Sequence, residues 1–150
     1  MIPVPATNSR LQPSAKVFVA CGLWLVGLGA YFLFMRPALL PEDLRYIGVS
    51  IETIRSATPG LERWLGHVFN VMGGFMVATG TMTTLVASRF LARRESGTLI
   101  ALSVAGGASV ALMSTTNFLL HSDFRWPLLV PVLFWLAGLL CYWRESDAAS

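Results

Sequence analysis

Hydrophobic positions along this chain fall into four long blocks, from Val17 to Met35, Trp64 to Ala87, Thr98 to Leu120 and Pro127 to Trp143, and none contains Asp, Glu, Lys or Arg. The blocks hold 19, 24, 23 and 17 residues. A hydrocarbon layer of about 30 Å is crossed by roughly 20 helical residues, so each block can span a bilayer. Lipid offers the backbone no hydrogen bonds, so spans must be helices or a closed barrel, and uncharged runs of this length lack the short alternation of barrel strands. The predicted fold is an all-α, four-transmembrane-helix bundle forming one integral membrane domain, 1–150. Its spans, with their flanks, are 17–35, 63–88, 98–120 and 126–143, between polar tails 1–16 and 144–150.

The one sizeable connector is patterned too. Leu44, Ile47, Ile51 and Ile54 recur at three- and four-residue intervals, with Asp43, Arg45, Ser50 and Glu52 on the other side. That pattern predicts an amphipathic helix of about four turns over 41–56. Pro41, Glu42 and Asp43 suit a helix start, and Thr58-Pro59-Gly60 a stop. Such a helix lies in the membrane interface or caps the bundle.

Composition agrees with the pattern: 55% of residues are hydrophobic and 13% charged, outside the range of soluble domains. The net charge of +3 does not argue for a nucleic-acid partner, because the cations sit in the connectors, where topology places them. With the N-terminus inside, the cytoplasmic set is Arg10, Lys16, Arg89, Arg93, Arg94 and Arg144, and the outer set is Arg36, Arg45, Arg55, Arg63 and Arg125. The compact 89–97 loop carries three Arg against one Glu, whereas acids balance the first connector. The bias favours both termini in the cytoplasm. Trp64 and Trp126 at one end, and Tyr142 and Trp143 at the other, read as interfacial anchors. A 19-residue first block without a small-x-small cleavage site reads as a retained helix rather than a signal peptide, and Cys21 and Cys141 as reduced packing residues.

The second span carries two neighbouring stripes at 100° per residue. One is polar and small, through Arg63, His67, Asn70, Gly74, Ala78, Thr81 and Ser88; the other is Gly66, Gly73 and Gly80. Glycines at this spacing let another backbone approach, and Asn or His within lipid needs a polar partner. Span three offers an aligned face, Ser103, Gly107, Val110, Ser114, Asn117 and His121. Packing of these two faces would use Gly66, Gly73, Gly74, Gly80 and Gly107 and gather His67, Asn70, Asn117 and His121 near the outer surface.

That polar cluster admits three readings: a hydrogen-bonded seam fixing helix register, a pocket for a lipid headgroup, quinone or other amphiphile, or a haem or metal site using His67 and His121. Two imidazoles alone hold a metal poorly, and no spacing selects one, so no cofactor is predicted. A small oligomeric transporter stands as a second alternative, although every Asp and Glu lies in a connector or tail and none offers the intramembrane acid that coupled transport usually uses. Enzymatic motifs are lacking: Gly73-Gly74 and Gly106-Gly107 sit in apolar helices rather than on a phosphate-binding turn, and no His-Glu-x-x-His occurs. Pro131 predicts a kink in span four. The expected function is that of a non-enzymatic membrane component. It would be an accessory subunit partnering the bilayer, a membrane protein or a second copy, or a small amphiphile-binding protein.

The segments Leu40-Pro-Glu-Asp-Leu-Arg-Tyr46 and Val68-Phe-Asn-Val-Met-Gly-Gly-Phe-Met76 resemble those of small, functionally uncharacterised bacterial inner-membrane proteins. The resemblance covers about the first two spans. It implies a four-helix bacterial membrane protein and no activity.

On a cysteine-free background, Ser50→Cys is expected to react with an impermeant thiol reagent added to intact cells and Ser96→Cys only after lysis. The opposite order would invert the orientation.

Overall fold

The computed structural model describes residues 11–95 and 97–147, so the tail carrying Arg10, Ser96 of the 89–97 loop and residues 148–150 lie outside the described residues. Among those described, every regular element is helical: α1 Pro13–Phe34, α2 Pro41–Ile47, α3 Ile51–Ala57, α4 Leu61–Arg89, a 3₁₀ turn Leu91–Arg93, α5 Thr98–Gly106, a π turn Gly107–Ala111, α6 Leu112–Leu119 and α7 Arg125–Asp147. α5, the π turn and α6 form one continuous rod, Thr98–Leu119. With α1, α4 and α7 it makes four helices long and apolar enough to cross a membrane. Leu23, Val71, Val104, Leu133 and Leu140 are exposed on them, as apolar side chains facing lipid would be.

The expected four-turn connector helix is instead two short helices. Gly48 takes φ +79°, a left-handed conformation that ends α2, and Ser50 starts α3 by accepting the Thr53 amide at 3.2 Å. The apolar spacing ran through this break because Gly48 and Ser50 carry the local hydrogen bonding while Ile47 and Ile51 carry the periodicity. Ile54 is buried, whereas Ile47 is half exposed.

Helix pairing also departs from the expected arrangement. The glycine stripe of α4 meets α1, not the third span. α1 and α4 run antiparallel, with Gly22 opposite Gly80 and Gly29 opposite Gly73. A Cβ on Gly29 would lie 2.7 Å from the Gly73 carbonyl oxygen, and one on Gly73 would lie 2.8 Å from the Gly29 oxygen. Both glycine pairs are seven residues apart, so two turns of each helix bring the next pair into register. Gly66, Gly74 and Gly107 open onto free space and hold no helix. The polar stripe beside them, from Arg63 through His67, Asn70, Gly74 and Ala78 to Thr81 and Ser88, is exposed along its whole length.

The core lies between α1, α5 and α7. Phe18 is fully buried, its ring edge-to-face with Trp135 at 5.5 Å and set against Gly138. The Trp135 indole N–H donates 3.0 Å to the Leu102 carbonyl, and Gly106 provides the space for the ring. Pro131 sits inside α7, which continues through it to Asp147. Where α1 begins and α7 ends, Glu145 accepts the Ser14 amide at 3.1 Å and its hydroxyl at 2.6 Å, placing a carboxylate on the positive end of α1. Arg94 lies 3.8 Å from Glu145 and over the Tyr142 ring. Tyr142 is thus buried rather than an interfacial anchor, while Trp64, Trp126 and Trp143 are exposed at the helix ends.

Gly73→Ala is expected to destabilise the detergent-solubilised protein by about 1–3 kcal/mol, since its methyl must enter the Gly29 backbone. Gly74→Ala, one residue on, meets nothing and is expected to be neutral or to gain up to about 1 kcal/mol of helix propensity. Opposite signs in thermal unfolding would establish the α1–α4 contact; equal losses would contradict it.

Candidate functional site

Because α4 is held by α1, it stands away from α6, and the gap between them is a cavity of about 790 Å³. Met72, Phe75, Met76 and Thr79 of α4 form one wall, and Ala108, Ser109, Leu112 and Met113 the other. Trp24, Leu25 and Leu28 of α1 close the back. The π turn lies on this wall; its Ser109 hydroxyl turns inward to the Ala105 carbonyl of its own helix, and the wall stays apolar. Thr116 likewise donates to Leu112.

One end of the cavity is polar, beneath α2. Arg36, with its side chain 9% exposed, donates 2.8 Å to the Pro37 carbonyl and lies 3.4 Å from Asp43. Its guanidinium is 3.5 Å from the Phe69 ring centre, a close cation–π contact. Burial lowers the Arg36 pKa from its usual value, with the charge of Asp43 opposing; an arginine still holds its proton. Asp43 also accepts the Leu40 amide at 2.8 Å, fixing the first turn of α2. Glu42, 7% exposed, accepts the Ser122 hydroxyl at 3.0 Å, and Ser122 accepts the Phe124 amide at 3.1 Å. This pins α2 to the turn between α6 and α7, at the polar end of the cavity. Outside it, Arg45 and Asp123 pair at 2.8 Å across the same junction.

Of the four residues expected to cluster, only Asn117 lines this cavity, and its amide donates 2.9 Å to the Met113 carbonyl of its own helix. His67 and Asn70 are exposed on α4, and His121 is exposed at a left-handed position, φ +51°, where α6 ends. The structure does not bring the four side chains together. Neither imidazole lines this cavity, and among the described residues no group of three metal-ligating side chains occurs.

The residues that do converge, Arg36, Glu42, Asp43 and Ser122, lie in connectors, where sequence periodicity reads them as helix-start and interfacial charges. One signal was available. Gly22 and Gly29 repeat the seven-residue spacing of Gly73 and Gly80, which pairs α4 with α1 and leaves its other side to a cavity. Comparison with known proteins found no matching family model, no matching curated protein and no matching solved structure.

Proposed function

We propose that this protein is a non-enzymatic, amphiphile-binding membrane protein, housing an apolar chain between α4 and α6 and a polar head beneath α2. The observation that carries this reading is the cavity's division into a long apolar wall and one charged end, within a volume typical of small-molecule sites. Its place is a bacterial inner membrane with both termini in the cytoplasm, supported by the Arg-rich 89–97 loop and the resemblance described above. The polar end would then face the outer surface.

In a variant with Trp64, Trp126 and Trp143 changed to Phe, which keeps Trp24 on the cavity lining and the core Trp135, bromine-labelled dodecanol should saturably quench the Trp24 share of the emission and leave that of buried Trp135. Ala108→Phe, which fills the cavity wall, should weaken the apparent affinity at least tenfold, about 1.4 kcal/mol. Quenching that rises only linearly with probe, as from bulk detergent, would remove the amphiphile reading.

A second reading, self-association, is favoured by the outward stripe of α4. Asn70 lies about 14 Å along the helix from Leu61, at hydrocarbon depth, and its exposed amide makes no hydrogen bond to a described residue. An amide there is costly without a partner. A second copy, parallel across a two-fold axis, would offer an identical donor and acceptor, and Gly74 and Ala78 would permit close approach. Under mild oxidation in membranes, Ala78→Cys on a cysteine-free background is expected to form a covalent dimer far more readily than Val104→Cys. Equal yields would reject this interface.

A further inference from the structure

We propose that the polar end of the cavity selects a cationic, hydrogen-bond-donating head, an alkylammonium in its simplest form, over an anionic one. The inference rests on the amphiphile reading and adds the chemistry of the head.

Glu42, Asp43 and Asp123 lie at this junction with Arg36, Arg45 and Arg125, and they are unevenly engaged; Arg125 is turned to the Trp126 ring. Arg36 is engaged by Asp43, by the Pro37 carbonyl and by the Phe69 ring. Arg45 is engaged by Asp123, on the exposed side of α2. Arg36 and Arg45 both act on Glu42 at longer range, but neither forms an ion pair with it. Glu42, the most buried of the three acids, enters no ion pair among the described residues.

Glu42 lines the cavity and is 7% exposed. One of its oxygens accepts the Ser122 hydroxyl; the other accepts nothing from the described residues. Among the described residues only Ser122 donates a side-chain hydrogen bond to Glu42. Ser122 gives its only proton to Glu42, Asn117 donates to Met113, and Thr116 donates to Leu112. A buried carboxylate is stabilised by charge and by donated hydrogen bonds, and an ammonium supplies both in one group. A sulfonate or phosphate would bring a second anion to the same oxygen, and its cost would be largest in this low-dielectric setting. The apolar wall below then determines that the cation carries a chain.

Competition against the bromine-labelled dodecanol probe in a neutral maltoside detergent tests this. Dodecylammonium should displace the probe from the wild type at roughly tenfold lower mole fraction than dodecanesulfonate, and at lower mole fraction than unlabelled dodecanol. In Glu42→Gln, whose amide oxygen can still accept the Ser122 hydroxyl, the two charged competitors should fall within about twofold of each other. Equal displacement by ammonium and sulfonate in the wild type would overturn the inference, leaving an apolar-chain site without head selection. So would a tenfold preference that persists in Glu42→Gln. If that variant fails to fold, the wild-type series decides alone. Absence of saturable probe quenching in the wild type would instead defeat the amphiphile reading itself.

Discussion

The architecture depends on one close approach, the backbone contact of α1 with α4 through Gly22, Gly29, Gly73 and Gly80. Two apolar helices in lipid gain no hydrophobic energy from meeting, because the acyl chains they displace are as apolar as their side chains. What holds them is dispersion, which falls steeply with distance, and removing four Cβ atoms lets the backbones themselves come into contact. A helix committed to this contact cannot pack equally closely elsewhere. The separation of α4 from α6 is therefore the counterpart of its closeness to α1.

On the other side of α1 the packing principle is different. Phe18 fills the space between α1 and α7, Trp135 meets its edge, and the indole N–H closes a hydrogen bond to Leu102 that an apolar environment makes costly to leave unmade. This aromatic block fixes α1, α5 and α7 as a unit. The Glu145 carboxylate joins the two chain ends of that unit at the α1 N-terminus. At the opposite end, Glu42 and Ser122 tie the connector to the α6–α7 turn. Charge thus works only at the two ends of the bundle, where water or a ligand head can reach it, and the middle is left to shape.

These constraints give the cavity its character. Its walls are side chains that a membrane helix would otherwise present to lipid, and its polar end is built from connector residues. On the proposed amphiphile reading a ligand must match both parts, and the inferred choice of head rests on Glu42, a buried carboxylate without an ion pair among the described residues.

Sequence alone determined the class of fold. Uncharged blocks of 17 to 24 residues admit one backbone solution in lipid, and the helices appear where those blocks lie, extended by a few residues at their polar ends. It also determined that Gly73 and Gly80 sit on a packing face. Which helix receives that face was decided by tertiary structure, because a stripe has a direction around its own axis but no address, and small residues occur on α1 and the third span alike. His67, Asn70 and His121 show the same limit: polarity at membrane depth signals the need for a partner without naming one. Glu42 shows the converse. In sequence it is one of two acids opening a helix; only the break at Gly48 and the reach of Ser122 from 80 residues away turn it into a buried carboxylate. Local periodicity is written in neighbouring residues, whereas a site joins residues distant in the chain, and their meeting is set by the packing of whole helices.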